Sequence, residues 1–331
     1  MARSRLTLAL ESGDFALPES GRIAVLRPPG GHDLSALPRE RVHVVQGFFP
    51  DHRAWAERGH AVSVAPEGEY AAALVCLPRA KAHARALVAQ ARALAGEGPV
   101  LVDGQKTDGV ESILRDCRRA GARVEGVLSK AHGKLFWFTG GDFADWEAPA
   151  ETRTAEGFIT RPGVFSADGV DRGSRLLAEA LPAGLSGRVA DLGAGWGYLA
   201  RAILAHDGVS ECHLVEAEHD ALECARLNVT DPRARFHWAD ARSFADEAGF
   251  DHVVTNPPFH TGREADTALG QAFVAAAARL LRPRGTLWLV ANRHLPYEAS
   301  LQAAFVEVAE VGGDSGFKLF RAARPRRNRK E

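Results

Sequence analysis

Short apolar runs alternate with stretches of helical periodicity along the second half of the chain, from about residue 174 to residue 323. The predicted elements are helix 174–181, strand 187–192, helix 197–206, strand 211–216, helix 219–228, strand 234–238, strand 250–255, helix 265–281, strand 285–291, and a closing hairpin of 304–312 with 317–323. This alternation predicts an α/β fold with a doubly wound, mostly parallel sheet that ends in an antiparallel hairpin. Such sheets bind their ligands at the carboxyl ends of the strands.

The first half of the chain repeats part of this pattern. An apolar run ending in a proline turn, a long helix and a second apolar run occur at 72–79, 80–95 and 99–102, and again at 250–258, 265–281 and 285–290. An internal duplication is the simplest explanation. It predicts two tandem Rossmann-like domains, 1–145 and 155–331, joined through the stretch 140–154, which is rich in glycine, acidic and small residues.

The composition is that of a globular protein, with 331 residues, 46% hydrophobic and 25% charged. Apolar runs of about 18 residues, which would indicate a membrane helix, do not occur, and the N-terminus lacks the apolar core of a signal peptide. We therefore expect a cytoplasmic protein without a membrane partner. The four cysteines show no C-x-x-C spacing, so we expect neither a structural zinc nor a disulfide framework.

The charge pattern is uneven. A net charge of −1 argues against a uniformly basic nucleic-acid coat, yet residues 321–330 and 115–134 are locally rich in arginine and lysine. Clusters of this kind can contact phosphates. A solvated tail and a solvated helix face explain them equally well.

The most informative motif, Asn256-Pro257-Pro258-Phe259-His260, directly follows the strand predicted at 250–255. The two prolines fix φ and supply no N–H, which leaves the Asn256 amide oxygen and nearby carbonyls as acceptors in a stiff turn. Such a turn can grip both hydrogens of an exocyclic amine, and Phe259 can stack on the ring that carries the amine. Asn-Pro is also an ordinary way to start a turn, and Phe259 can equally belong to the core.

A glycine-rich turn after the strand at 187–192 predicts a nucleotide-type site. The residues Asp191-Leu192-Gly193-Ala194-Gly195-Trp196-Gly197 lie between strand and helix. Glycines there allow positive φ and let a ligand approach backbone N–H groups. The G-x-G-x-G spacing differs from the dinucleotide fingerprint, and Asp191 would repel a pyrophosphate. It would attract a ligand that carries an amino group and a sulfonium.

Two further acids end the next two predicted strands. Glu216 lies 25 positions beyond Asp191 and is placed to bind both ribose hydroxyls. Asp240, followed by Ala241, can accept a hydrogen bond from an adenine N6 amine. Each residue also has an ordinary explanation, because Glu216 can cap the helix 219–228 and Asp240 can be a loop carboxylate.

The ordered set of these four strand ends resembles a class I S-adenosylmethionine-dependent methyltransferase in which Asn-Pro-Pro-Phe is the amino-methylating motif. Additional residues narrow the resemblance to the bacterial ribosomal RNA guanine-N2 methyltransferases, chiefly the 16S enzyme of the small subunit and its 23S relative. These residues are Gly163-Val164-Phe165-Ser166, Asp168, Asp171, Gly173-Ser174, Val290-Ala291-Asn292 and Leu295-Pro296-Tyr297. The resemblance covers nearly all of the second half and is architectural over the first half.

This resemblance implies two class I methyltransferase domains, of which the first is inactive and the second transfers a methyl group from S-adenosylmethionine to guanine N2 without a metal. The implied cofactor-binding residues are Phe165, Asp191, Gly193, Gly195, Glu216, Asp240, Ala241 and Asn256. The implied catalytic residues, which hold guanine, are Asn256, Pro257, Pro258 and Phe259. Ribosomal RNA or the small ribosomal subunit is the implied partner, and we expect a monomer.

The chain departs from the family pattern at two positions. Trp196 is bulky for a glycine loop, where it can shield the methionine moiety or pack outward, and Thr261 stands where relatives commonly have Asp. In the first copy, Leu77-Pro78-Arg79 stands in place of the Asn256 motif. We therefore expect that domain to bind no cofactor and to position a large substrate.

Other functions stay open at this point. The Asn-Pro-Pro-Phe motif also serves methylation of adenine N6 and of the glutamine amide of release factors, and the 23S relative modifies the other ribosomal subunit. A different class of function is a catalytically silent RNA-binding or assembly protein that keeps only the fold. The intact acids and the intact Asn256 motif of the second half argue against it.

Overall fold

A computed structural model describes residues 3–149, 151–258 and 267–327 of the chain. The chain divides into two compact units, Met1–Ala150 and Glu151–Glu331. Helices of the described residues include none that is long and apolar enough to cross a membrane.

The first unit contains one sheet of seven strands with helices on its faces. Its elements are α1 (Arg5–Glu11), β1 (Ile23–Leu26), β2 (Val42–Val45), α2 (Phe49–Glu57), β3 (Ala61–Ser63), β4 (Ala72–Cys76), α3 (Lys81–Ala95), β5 (Val100–Gln105), α4 (Val110–Arg119), β6 (Ala122–Lys130) and β7 (Gly133–Gly140). The strand order is β3-β2-β1-β4-β5-β7-β6, parallel from β3 to β5 and antiparallel at β7 and β6. The central strands β1 and β4 are buried over their whole length, as expected of parallel strands covered on both faces.

The second unit contains a second sheet of seven strands, preceded by a short hairpin. Its elements are β8 (Thr152–Arg153), β9 (Ile159–Thr160), α5 (Arg172–Glu179), β10 (Gly187–Leu192), α6 (Tyr198–Leu204), β11 (Val209–Glu216), α7 (His219–Asn228), β12 (Ala234–Trp238), β13 (Phe250–Thr255), α8 (Thr267–Leu280), β14 (Leu281–Asn292), α9 (Glu298–Ala304), β15 (Phe305–Gly313) and β16 (Phe317–Pro325). The order is β12-β11-β10-β13-β14-β16-β15, and β15 and β16 form the antiparallel edge.

The two seven-stranded sheets have the same strand order when their strands are numbered from the first strand of each sheet, β1 and β10. The predicted fold class, two tandem doubly wound domains with a C-terminal antiparallel hairpin, is confirmed. The first unit also ends in an antiparallel pair, β6 with β7, which the sequence analysis did not predict. Strand β6 alternates exposed and half-buried residues at the edge of its sheet, so it lacks the continuous apolar run that marks a buried strand.

Most predicted elements of the second unit agree with the structure to within a few residues. Three short elements were not predicted: the strands β8 and β9, of two residues each, and helix α9, of seven residues. Segments of this length are too short to show a hydrophobic period. Strand β14 begins at Leu281, four residues earlier than predicted, where Leu281 pairs with Phe250 of β13. Strand β16 ends at Pro325, two residues later than predicted, where Pro325 pairs with Phe305 of β15.

The register of the central strands brings the predicted site residues to one edge of the sheet. Strand β10 pairs in parallel with β13, with Asp191 opposite Val254, and with β11, where Asp191 lies opposite Leu214. The Thr255 hydroxyl donates to the Leu192 carbonyl over 2.7 Å, which holds the two strand ends together. Asp191, Glu216 and Asn256 therefore end neighbouring strands at their carboxyl ends.

Candidate active site

The glycine loop between β10 and α6 is built on three left-handed residues. Gly193, Gly195 and Gly197 have φ of 73°, 55° and 92°, a region that other residues rarely enter. A Cβ at Gly197 would lie 2.8 Å from the Val229 side chain, so this glycine allows close packing of the loop on α7. A Cβ at Gly195 would meet nothing within 4 Å. Gly195 therefore leaves open space in which a ligand can approach the backbone.

Glu216 holds this loop through hydrogen bonds to the backbone. Its Oε2 accepts from the Gly195 backbone N–H over 2.8 Å, and its Oε1 accepts from the Glu218 N–H over 2.7 Å. Burial raises the pKa of the Glu216 carboxyl. Each carboxylate oxygen can accept more than one hydrogen bond, so the residue retains capacity for hydroxyl donors.

Asp191 is a buried acid beneath the loop, with an exposed fraction of 0%. Among the residues that the structure describes, neither of its carboxylate oxygens has a hydrogen-bond partner. Burial, aided by the negative charge of Glu216, raises the pKa of Asp191 to about 8. A buried acceptor without a partner costs about 1–3 kcal/mol, so a cationic or hydrogen-bond-donating ligand would be favoured here.

Asn256 presents an amide with a defined orientation. Its Nδ2 donates to Asp171 Oδ2 and to Ser174 Oγ, both over 2.9 Å. Its Oδ1 is buried and has no hydrogen-bond partner within the described parts of the chain. An unpaired amide oxygen of this kind can accept a hydrogen bond from an amino group, as the sequence analysis expects of this residue.

The Trp196 side chain, although it belongs to the glycine loop, is buried among neighbouring aromatic residues. Its ring contacts Phe158 and Tyr198, with centroids 4.8 and 6.0 Å away, and its exposed fraction is 4%. Its Nε1 donates to the Phe165 carbonyl over 2.9 Å. The Asn228 side chain donates to the Trp196 carbonyl over 2.8 Å. Trp196 therefore ties the glycine loop to the segment that carries Phe165, a role that the sequence analysis did not anticipate.

A small cleft lies beside the glycine loop. The residues that line it are Phe165, Ser166, Asp171, Ser174, Gly193, Ala194, Gly195, Trp196, Tyr198, Leu199 and Asn256. Four of the predicted site residues thus meet at one cleft: Phe165, Gly193, Gly195 and Asn256. Phe165 presents an apolar ring there that is 56% exposed.

The remaining predicted residues lie around this cleft or outside the described chain. Pro257 is buried and Pro258 is exposed, directly after Asn256. Phe259, and with it His260 and Thr261, falls in the segment 259–266, outside the described residues. The stacking role expected of Phe259 therefore stays a prediction.

Asp240 and Ala241 do not line the cleft. The backbone N–H of Ala239 donates to the Glu216 carbonyl over 3.0 Å, which places this turn beside Glu216. The Asp240 carboxylate is engaged by the Arg242 guanidinium, whose Nη2 lies 2.6 Å from Oδ2. Ala241 is 5% exposed and packs in the core. A contact between Asp240 and an adenine amine would have to share or replace the Arg242 contact.

Asp171 and Ser174 are site residues to which the sequence analysis assigned no role. Asp171 caps α5, because its Oδ2 accepts from the Ser174 backbone N–H over 2.8 Å. An aspartate directly before the first residue of a helix is the sequence signal for such a cap. That the same oxygen also binds Asn256, 85 positions away, is visible only in three dimensions.

The corresponding strand end of the first unit lacks an amide acceptor. Strand β4 is followed by Leu77, which is 8% exposed. The Leu77 side chain lies against Gly104, where an added Cβ would come within 2.9 Å of its Cδ1. Nearby, Arg5 forms an ion pair of 2.6 Å with Asp103. An apolar side chain and an internal ion pair thus stand at the strand ends where the second unit has Asp191 and Asn256, and they line a cleft of the first unit.

Two arginines of the C-terminal basic cluster serve the fold. Arg326 donates to the Phe305 carbonyl over 3.0 Å, and Arg327 donates to the Leu281 carbonyl. Arg324 forms an ion pair of 2.9 Å with Glu307. These contacts within the protein explain the positions of all three arginine side chains, and none of them requires a bound phosphate.

Comparison with known proteins identifies relatives of both halves of the chain. The family model "Methyltransferase small domain" matches residues 156–321. A protein named Ribosomal RNA small subunit methyltransferase C from Alteromonas mediterranea is 28% identical over 348 residues, covering 93% of this chain and 96% of the relative. A protein of the same name from Shewanella sp. (strain MR-4) is 31% identical over 265 residues and covers 77% of each chain.

A solved structure extends the similarity to three dimensions. It is that of the T. Thermophilus 16S rRNA N2 G1207 methyltransferase (RsmC) in complex with AdoMet and guanosine. The TM-score is 0.76 at 28% identity, and the match covers 93% of this chain and 90% of that chain. The similarity therefore spans both units of the fold.

Proposed function

Because this chain belongs to the family of the Ribosomal RNA small subunit methyltransferases C, we infer that it transfers a methyl group from S-adenosylmethionine to the exocyclic N2 of a guanine in 16S ribosomal RNA. The observation that carries this function is the buried Oδ1 of Asn256, which has no partner among the described residues, at a cleft shared with the glycine loop. That acceptor matches an amino group, and the loop matches a nucleoside with a cationic substituent.

The glycine loop and its acids fit S-adenosylmethionine. The buried carboxyl of Asp191 has no partner among the described residues, and a cationic ligand beside it would favour its ionised form. The open space at Gly195 admits a ligand against the backbone. Glu216 supplies acceptors for ribose hydroxyls, while Phe165 covers the cleft with an apolar ring. Gly193, Asp240 and Ala241 are also assigned to the cofactor, whereas Asn256, which the resemblance places in both the cofactor-binding and the catalytic set, is assigned here to the guanine. When bound, the cofactor supplies the methyl group on its sulfonium.

Asn256 and the prolines after it are assigned to the guanine. The amide Oδ1 accepts from an N2 hydrogen and turns the nitrogen lone pair toward the methyl donor. The N–C bond forms as the S–C bond breaks, and the N2 proton then passes to solvent. Most of the rate acceleration comes from position and not from proton transfer, since holding two reactants in line is worth roughly 7–11 kcal/mol.

The substrate must present an unpaired guanine. A stacked and paired base keeps its N2 inside the helix, out of reach of a cleft, so a loop or a flipped nucleotide is required. Ribosomal RNA or the small ribosomal subunit is the proposed partner, as the names of the relatives indicate. We assign the first unit, which lacks the acceptor of Asn256, to substrate positioning.

A methyl-transfer assay tests this function. Radiolabelled S-adenosylmethionine is incubated with the full chain and, in turn, with naked 16S RNA, 23S RNA, 30S particles and 50S particles. We expect transfer to 16S RNA or to 30S particles, at guanine N2 by nucleoside analysis. Transfer to 23S RNA or 50S particles alone, or to adenine, would contradict the proposed substrate, and no transfer to any of the four would favour a binding protein.

The variant Asn256→Ala is the matched control for that assay. Loss of the acceptor should lower the rate by at least about 100-fold, the usual effect of removing one positioned hydrogen-bonding group. The affinity for S-adenosylmethionine, measured by calorimetry, should change little because the cofactor groups remain. A normal rate, or a lost cofactor affinity, would contradict the assignment of Asn256 to guanine.

A further inference from the structure

We propose that Asp171 and Ser174 are positioning residues that aim the Asn256 amide oxygen at the target amine. The proposal rests on the proposed function, since it concerns how the acceptor of that reaction is held. It assigns to the start of α5 a role in transfer beyond its role in the fold.

The contacts of Asn256 determine which way its amide is turned. A carboxylate only accepts hydrogen bonds, so the amide atom 2.9 Å from Asp171 Oδ2 must be the NH₂ group. The same nitrogen lies 2.9 Å from Ser174 Oγ, so both of its hydrogens have acceptors. The oxygen is thereby turned to the other side, where it is buried and has no partner among the described residues.

The two acceptors are themselves held by the fold. Asp171 Oδ2 also accepts from the Ser174 backbone N–H over 2.8 Å, which locks its side chain as the cap of α5. Ser174 is 8% exposed, and Gly173 between them has no room for a Cβ because Phe317 would lie 2.9 Å away. Helix α5 packs against β14 and β16, in the same sheet as the strand that carries Asn256. The first turn of α5 thus fixes the orientation of the Asn256 amide relative to the sheet.

Without these acceptors the amide is free to rotate by 180° and present its NH₂ group to the substrate. An amino group then faces an amino group, and the hydrogen bond that orients the nitrogen lone pair is lost. The effect belongs to the step in which guanine is oriented. S-adenosylmethionine binding, which uses the glycine loop and its acids, is not predicted to change.

Two substitutions at Asp171 separate positioning from helix capping. Serine is as good a helix cap as aspartate, so Asp171→Ser retains the cap. Its side chain is one heavy atom shorter, which withdraws the acceptor from Asn256. Asp171→Asn retains a capping oxygen of the same reach and can still accept from Asn256, so it is the conservative control. Ser174→Ala removes the second acceptor and leaves the backbone N–H that Asp171 binds.

The experiment measures kcat and KM for RNA on the full chain, together with the Kd for S-adenosylmethionine. We expect Asp171→Ser to lower kcat by about 100-fold and Ser174→Ala by about 10-fold, with that Kd within about 3-fold of wild type. Asp171→Asn should recover most of the loss. In the background of Asn256→Ala, Asp171→Ser should cost no more than about 3-fold further, because it acts through the missing amide. Equal losses in both Asp171 variants, or losses that multiply in the double variant, would overturn the proposal.

A second measurement keeps the proposal independent of turnover. Guanosine binding to the full chain in the presence of S-adenosylhomocysteine should weaken at least about 10-fold in Asp171→Ser and stay near wild type in Asp171→Asn. If wild-type protein transfers methyl groups to none of the ribosomal substrates, the proposed function fails, while this binding comparison still decides the role of Asp171. Equal guanosine affinity in all three proteins would contradict that role.

Discussion

At the scale of single residues, the site is defined by acceptors that the fold leaves unpaired. Asp191 and Asn256 both carry buried oxygens without a hydrogen-bond partner in the described chain. Native proteins satisfy most such groups, so a buried acceptor that the fold leaves without a partner calls for an explanation such as a ligand. The free energy lost by burying these acceptors is thus recovered when the ligand binds, which favours the bound state over the free one.

The raised pKa of Asp191 predicts a pH-dependent stability. With a pKa of about 8, against an ordinary value of 3.8, the folded protein retains a proton that the unfolded chain has lost between these pH values. The contribution of this group to the free energy of unfolding is therefore largest below pH 4. It decreases as the pH rises toward 8, by up to about 1.4 kcal/mol per pH unit. Asp191→Asn should remove that slope and be more stable than wild type at pH 9.

Urea unfolding of the ligand-free chain between pH 6 and pH 9 measures this effect. Asp231→Asn is a suitable control, because hydrogen bonds from Arg233 lower the pKa of Asp231 to about 2 and it is ionised throughout that range. That variant should show the same slope as wild type. An unchanged slope in Asp191→Asn would show that the buried acid is already ionised at pH 6.

At the scale of elements, the glycine loop shows how one turn serves both packing and binding. Gly197 is the N-cap of α6 and allows the loop to pack against Val229, whereas Gly195 borders open space. The strand ends around them are fixed by parallel pairing of β10 with β11 and β13. A ligand at this loop therefore meets a backbone that is already in place, which lowers the entropy cost of binding.

Matched alanine substitutions distinguish the two glycines. Gly197→Ala should destabilise the protein by on the order of 2 kcal/mol, since a Cβ at φ 92° would also lie 2.8 Å from Val229. Gly195→Ala, at φ 55° with no neighbour within 4 Å, should cost about 1 kcal/mol and weaken S-adenosylmethionine binding by at least about 10-fold. Thermal unfolding and calorimetry on both variants test this; equal cofactor affinities would contradict the assignment of Gly195.

At the scale of the whole molecule, one architecture occurs twice with different chemistry at the equivalent strand ends. Both sheets have the same order, yet β4 is followed by the buried Leu77 where β13 is followed by Asn256. The first unit also places the Arg5–Asp103 ion pair at its sheet edge. Fold and function are thus separable here, as expected when function depends on a site and not on the scaffold.

The asymmetry between the units predicts one cofactor site per chain. Calorimetric titration of the full chain with S-adenosylmethionine should give a stoichiometry near one, and Gly195→Ala should weaken that single transition. A stoichiometry near two would contradict the expectation that the first unit binds no cofactor. A second transition that survives in Gly195→Ala would place the additional site outside the glycine loop.

The amino-acid sequence by itself determined the fold class, the order of the main elements and the identity of the residues at the strand ends. Apolar runs and helical periods are local properties, and glycine, proline and acidic residues act within a few positions of one turn, so they can be read along the chain. Only the tertiary structure decided that Asp171 and Ser174 bind the Asn256 amide, that Trp196 holds the Phe165 carbonyl, and that Arg242 engages Asp240. The Asp171–Asn256 and Trp196–Phe165 contacts join residues 85 and 31 positions apart, and even the short-range Arg242 contact depends on side-chain orientation. Such contacts are settled by the packing of helices on the sheet, which no local pattern encodes.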